Sequence, residues 1–176
     1  MCLLLGPLGV GKTLILKRLQ VYSTKGSFEN LNDAPSTIPT VGTNLTNVQL
    51  NKKIEVRVRE LGGMMAPIWP NYFTDSSIVL YVVDVSNMSQ VSSACIQLLQ
   101  VLTDPKLHNA SILVVLNKSD LPLPMSIQQI RSLLHLDDVA TSASQRIEVL
   151  EVSALTGQGL DEVVRWLSSN HVNHSF

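Results

Sequence analysis

The chain has 176 residues, enough for one domain with a proper core. Its 45% hydrophobic and 15% charged content, against about 25% charged in an average globular protein, excludes a disordered chain. The formal net charge of −1 offers no field for nucleic acid or an anionic membrane surface, and the longest apolar runs are too short to span a bilayer.

The chain begins with a short apolar run, Cys2-Leu3-Leu4-Leu5, of the kind a buried strand shows. Gly6-Pro7-Leu8-Gly9-Val10-Gly11-Lys12-Thr13 follows at once and fits the phosphate-loop pattern G-x-x-x-x-G-K-[ST] at every fixed position. Glycines let backbone N–H groups turn inward around phosphate oxygens. Lys12 is placed to reach the β- and γ-phosphates, and the Thr13 hydroxyl to ligate Mg²⁺. Residues 13–21 read as a helix, with Leu14, Leu16, Leu19 and Val21 among Lys17, Arg18 and Gln20. Strand, glycine loop and helix N-terminus in that order make an anion site, because orphan N–H groups and the helix dipole both face the phosphate. Gly6, Gly9, Val10, Gly11, Lys12, Thr13 and Leu14 are therefore the expected nucleotide contacts on this segment.

Residues 23–39, with Gly26, Asn30, Asn32, Asp33, Pro35 and Pro39, form the only long polar stretch and predict a mobile surface loop. Residues 53–60 alternate strictly between polar and apolar, which predicts a half-exposed strand, joined to a strand at 46–50 by a turn at Asn51-Lys52. The apolar runs 78–83, 112–116 and 149–152 predict buried strands. Helices are predicted at 90–102, 126–134 and 159–168, the last with Leu160, Val163, Val164 and Leu167 on one face. Alternating strands and helices predict an α/β fold of P-loop NTPase type in one domain, residues 1–176. Its sheet is mainly parallel with one antiparallel edge strand from the hairpin, and helices cover both faces.

Cys2 and Cys95 fit no metal or redox spacing and imply free thiols in a reducing, cytoplasmic compartment. With Cys at position 2 and no prenylation cysteine in the tail, no lipid modification is expected at either end of this sequence. His171 and His174 read as part of a solvated terminus rather than as a metal pair.

Asn117-Lys118-Ser119-Asp120 follows directly on the predicted strand 112–116 and fits the N-K-x-D pattern that selects guanine. A carboxylate accepts from both N1–H and the exocyclic amine of guanine, and adenine offers no such pair of donors. Asp120 takes that role, Asn117 braces the loop, and the stem of Lys118 packs over the purine. The alternative is a polar turn between strand and helix. Ser153-Ala154-Leu155 lies after the next strand, where a backbone N–H would meet guanine O6.

With these motifs in this order, the chain resembles small GTPases of the ADP-ribosylation-factor-like (Arf-like) family over most of its length. Pro39-Thr40-Val41-Gly42-Thr43-Asn44 resembles the family's first switch, Glu60-Leu61-Gly62-Gly63 its second, and Trp69-Pro70-Asn71-Tyr72-Phe73 and Val82-Val83-Asp84 align with further family stretches. The resemblance implies GTP and GDP as ligands with Mg²⁺, Thr40 on the metal beside the γ-phosphate, and Gly63 donating its N–H to that phosphate. Glu60 stands where the family has Asp and would hold Mg²⁺ through water. It shares a strand face with Ile54, Val56 and Val58, and so points toward the site. The alternatives are a plain loop residue for Thr40 and a solvated strand end for Glu60. The implied partners are protein effectors in the GTP state, with an exchange factor or activating protein, acting on a monomer.

The sequence also departs from that pattern. Met64 occupies the place of the glutamine that orients the attacking water, and a thioether cannot take over that hydrogen-bonding role. The next glutamine, Gln90, lies well outside the loop. The second switch is shorter by about two residues between Gly63 and Trp69, by the family's own pattern. Of the aromatic triad that many Arf-like proteins present to effectors, Thr43 and Arg59 replace two members and Tyr72 remains. The acylated N-terminal helix of Arf proteins has no counterpart before the first strand, so no direct membrane anchor is expected. Three readings stay open: a GTP-dependent regulatory switch, a working hydrolase or kinase, and a pseudo-GTPase scaffold indifferent to nucleotide. Met64 weighs against unaided hydrolysis, Asp120 against an ATP-specific kinase, and the intact nucleotide motifs against the scaffold.

Overall fold

The structure, a computed structural model, describes residues 1–29, 31 and 33–172, without the Val172 side chain; Asn30, Asn32 and His174 lie outside the described residues. Among the described residues six strands form one sheet: β1 (Cys2–Leu5), β2 (Thr43–Gln49), β3 (Glu55–Leu61), β4 (Ile78–Asp84), β5 (Ser111–Asn117) and β6 (Arg146–Val152), in the order β2-β3-β1-β4-β5-β6. Only the β2–β3 pair is antiparallel, from Thr43 opposite Leu61 to Gln49 opposite Glu55; the other pairs are parallel. This is the expected α/β architecture, with β2 as the antiparallel edge strand. The hairpin turn is longer than the expected Asn51-Lys52 pair. Asn51 accepts from the Lys53 and Ile54 N–H groups through Oδ1, which fixes a turn reaching Ile54.

The α-helices of the described residues are α1 (Lys12–Lys25), α2 (Met88–Thr103), α3 (Ile127–Leu133), α4 (Leu136–Ser142) and α5 (Leu160–Val172). The period of two along β1 separates two cores. Cys2 and Leu4 join Ile15, Leu19 and Trp166 beneath α1 and α5. Leu3 and Leu5 join Ala94, Leu98 and Ile130 beneath α2 and α3. A strand buried on both faces needs a continuous apolar run, which β1, β4 and β5 have. In β3 the alternation of exposed Glu55 and Arg57 with buried Val56 and Val58 matches the half-exposed expectation.

Several boundaries differ from the sequence expectation. α1 runs on to Lys25, because Ser23 and Thr24 return their hydroxyls to the carbonyls of Leu19 and Val21 and so satisfy themselves within the helix. The expected loop from Ser23 therefore starts only after the helix closes at Gly26, whose N–H donates to Tyr22. Part of it is also fastened down: Phe28 is buried and stacks on Tyr22 at 5.0 Å. β6 is the edge strand opposite β2, and of its expected buried run only Val152 is buried. Residues Gly63–Tyr72 form a 3₁₀ segment containing Pro67 and Pro70, which bar a regular α-helix. The short helix α4 was absent from the sequence expectation.

In this topology the strand order reverses at β1, which pairs with β3 on one side and β4 on the other. Open α/β sheets bind ligands at such a crevice, at the carboxyl ends of their strands. The segments singled out in sequence all leave those ends: the glycine loop after β1, Glu60 near the end of β3, Asp84 and Asn117 ending β4 and β5, and Ser153 after β6.

Candidate functional site

The glycine loop wraps around one ammonium. Lys12 is buried, and its Nζ donates to the carbonyls of Gly6 and Pro7 at 2.8 Å each. Burial lowers its pKa from the ordinary lysine value to about 8, and the charge of Glu60 opposes the shift. Such an ammonium, met mainly by neutral carbonyls, gains from an added anion. Gly11 turns the loop into α1 with φ 99°, and a Cβ there would stand 2.4 Å from the Asn117 amide nitrogen. Only glycine meets both conditions.

Thr13, at the start of α1, donates to Glu60 Oε1 at 2.5 Å, and Thr40 donates to the same oxygen at 3.0 Å. The two hydroxyl oxygens are 3.1 Å apart. Glu60 is fully buried, so it is no solvated strand end. The three residues border a cavity of about 210 Å³ lined also by Gly9, Lys12 and Gly63. Gly63 reaches it by close approach, since a Cβ there would lie 2.3 Å from the Leu8 nitrogen. Met64, next in the chain, is 76% exposed. Leu14 packs its side chain on the core beneath α1 and does not line this cavity.

The second group gathers at the ends of β5 and β6. Asn117 is buried; its Nδ2 donates to the Val10 carbonyl at 2.8 Å and its Oδ1 accepts from the Ala154 N–H at 3.0 Å. One side chain thus ties the phosphate loop to the loop after β6. Of the segment Ser153-Ala154-Leu155, where a backbone N–H is expected at guanine O6, the Ala154 N–H is directed at Asn117. Lys118 adopts φ 67° and its ammonium pairs with Asp84 at 2.6 Å. Asp120 is exposed and accepts from the hydroxyl of buried Ser153 at 2.5 Å. A carboxylate, an ammonium and a brace are so assembled at one end of the crevice, with hydroxyls, a carboxylate and a second ammonium at the other.

The sequence profile of the ADP-ribosylation factor family matches residues 1–171. The chain belongs to this family. The chain is 46% identical to human ADP-ribosylation factor-like protein 16 over 171 residues, which cover 97% of this chain and 86% of the human protein. It is 31% identical to Drosophila melanogaster ADP-ribosylation factor-like protein 1 (95% of this chain, 86% of that protein) and 34% identical to Arabidopsis thaliana ADP-ribosylation factor 3 (95% and 85%). Its fold is similar to that of the Arl6 BBS3 small GTPase from Trypanosoma brucei, solved with the nucleotide analogue GppNp. The TM-score is 0.81 at 18% identity, over 99% of this chain and 98% of the other. Guanine-nucleotide binding and switching are general to the Arf family, as is interaction with effectors, exchange factors and activating proteins. Among the described residues, no helix is long and apolar enough to cross a membrane.

The fold of this Arf-family chain also makes contacts around the site that the sequence does not predict. Arg18, buried in α1, donates to the carbonyls of Ala154 and Leu155 at 3.0 Å each. Its spacing from Ile15 and Leu19, both core residues, was the available signal. Gln90, remote in sequence, reaches back from α2 and donates to the Leu8 carbonyl of the phosphate loop at 2.8 Å. Asn44 donates to Glu60 Oε2 at 3.1 Å. Arg59 lies over the Tyr72 ring at 5.5 Å, so two positions of the altered aromatic triad touch each other.

Proposed function

We propose that this chain is a GTP-dependent regulatory switch whose unaided hydrolysis is slow and which a partner, or nucleotide release, resets. The observation that carries the reading is the convergence of Thr13, Thr40 and Glu60 on one corner of the phosphate cavity. Thr40 comes from the first-switch segment, so its place at that corner couples the segment to whatever fills the cavity. Two hydroxyls and a carboxylate are hard oxygen donors, which suit Mg²⁺ completed by phosphate oxygens and water. Among the described residues there is no cluster of three His, Cys, Asp or Glu, so the corner suits a cation shared with a phosphate rather than one caged by protein alone. When bound, Mg²⁺ supplies charge neutralisation between the terminal phosphates. Lys12 adds a point charge beside them, Gly63 a backbone N–H, and Asp120 the acceptor for guanine.

Slow hydrolysis follows from Met64. A switch that keeps its glutamine still hydrolyses GTP at only ~10⁻⁴ s⁻¹ unaided, and a thioether offers no donor to orient water. The altered triad, with Thr43 and Arg59 in two aromatic places, implies effectors that differ from the standard Arf ones.

Affinity for GTP against ATP, followed by partner binding with GTP against GDP, tests the reading, because a switch needs differential partner affinity between its two states. Lys12→Ala removes a charge-assisted contact, and the expected loss of GTP affinity is about tenfold or more. Asp120→Asn is expected to weaken selection of guanine. Equal binding of GTP by Lys12→Ala and the parent chain would refute the site assignment.

A further inference from the structure

We propose that Asn44 is a positioning residue for the cation corner, holding the Glu60 carboxylate at the angle at which it meets Thr13 and Thr40. The inference rests on the reading of that corner as a Mg²⁺ site. Glu60 sits where the family has the shorter Asp. The extra methylene adds a torsion, and a carboxylate free to turn about it would deliver its oxygens imprecisely. The structure contains a device that removes this freedom. Asn44 lies directly opposite Glu60 in the antiparallel β2–β3 pair, so the two side chains share a face. Asn44 Nδ2 donates to Oε2 at 3.1 Å, which leaves Oε1 to accept from both threonine hydroxyls.

The residue type fits the task. Glu60 is fully buried, and among the described residues none of the ion pairs involves it, so its second oxygen depends on a neutral donor. A lysine or arginine at position 44 would neutralise the carboxylate and repel a cation, and an aspartate would repel Glu60. Asparagine disfavours strands, so its place in β2 is not explained by strand formation. Removing a partner that orients a metal-binding carboxylate typically lowers metal affinity by about tenfold or more.

The test uses the full chain loaded with a fluorescent GDP analogue. Nucleotide dissociation is followed across a buffered Mg²⁺ series and in excess EDTA, with Mn²⁺ affinity of the GDP complex measured by electron paramagnetic resonance. In Asn44→Ala the Mg²⁺ concentration needed for half-maximal retention is expected to rise about tenfold, and Mn²⁺ affinity to fall alike, while dissociation in EDTA changes less than about twofold. Asn44→Gln, which keeps the donor, is expected to recover part of the loss. In a Glu60→Asp background the shorter carboxylate falls back from position 44, and Asn44→Ala is expected to have little further effect. An unchanged Mg²⁺ dependence would overturn the proposal. So would an equal acceleration in EDTA, which marks general loosening, or an undiminished effect in the Glu60→Asp background. A parent chain that binds GDP with no Mg²⁺ dependence, or binds none, overturns the underlying site reading and this proposal together.

Discussion

Arg18 and Ala154, 136 positions apart in sequence, are joined by a 3.0 Å hydrogen bond from the Arg18 Nε to the Ala154 carbonyl. A second bond from Nη2 reaches the Leu155 carbonyl, so one buried guanidinium clamps the loop after β6 to α1, the helix that leaves the phosphate loop. Arg18→Gln shortens the reach and removes the fork. A hydrogen bond to a charged group contributes roughly 1.5–3 kcal/mol, and the part felt by bound nucleotide is expected to speed guanine-nucleotide release about tenfold. Stopped-flow release of a fluorescent GDP analogue checks this. A release rate matching the parent chain would leave Arg18 a stability residue only.

Met64 is the second test. Its side chain is 76% exposed, so Met64→Gln disturbs no packing, and its effect on stability is expected within about ±0.5 kcal/mol. A glutamine there restores an amide able to orient water, and single-turnover GTP hydrolysis is expected to rise by about tenfold or more. If Met64→Gln and the parent chain hydrolyse GTP at the same rate, Met64 does not limit hydrolysis, and Gln90 on the Leu8 carbonyl becomes the first residue to examine.

The contact between Arg59 and Tyr72 bears on the proposed difference in effectors. The guanidinium lies over the ring that remains of the triad, at 5.5 Å, and therefore covers part of it with charge. Arg59→Trp together with Thr43→Phe rebuilds an apolar patch beside Tyr72. Binding of the GTP-loaded double variant to a standard Arf effector is expected to improve by at least about tenfold, since buried aromatics contribute ~2 kcal/mol or more at such hot spots. Calorimetry against the parent chain decides the matter, and no gain would remove the triad explanation.

What could be read in the sequence is what spacing encodes. The glycine loop and the Asn117–Asp120 motif are local patterns, and the alternation in β3 records its own half-exposure. β6 looked buried because its residues are apolar enough, but burial depends on the strand's place at the sheet edge, which no local pattern carries. The 3₁₀ segment from Gly63 and the extension of α1 through Ser23 and Thr24 were hidden by residues that usually mark loops. Arg18, Asn44 and Gln90 join the site through helix face, cross-strand register and chain return respectively. Each of these is set by tertiary packing. Gly63 shows the two levels meeting: its identity was legible, but the reason for it is the 2.3 Å a Cβ would leave to the Leu8 nitrogen.

The last prediction concerns Cys2, which has no solvent exposure and sits in β1 beneath α1. Burial pushes its thiol up to about 12, so the folded chain holds it as a neutral thiol well above the pH at which an unfolded cysteine ionises. The unfolded chain releases this proton near pH ~8.5. A raised folded pKa contributes stability that is fully present below that value and is lost as pH climbs toward the folded one. The urea midpoint is therefore expected to fall as pH rises from about 8.5 to about 10.5, and Cys2→Ala to flatten that fall. Tyr81, whose pKa burial also raises, adds to the same slope at the upper end, so the flattening is partial. Cys95 is only half-buried, and burial raises its thiol too. Under native conditions a thiol reagent is therefore expected to modify Cys95 slowly and to reach Cys2 only at the rate of unfolding. Fast modification of both thiols at pH 8 would mean that β1 opens far more readily than its packing implies.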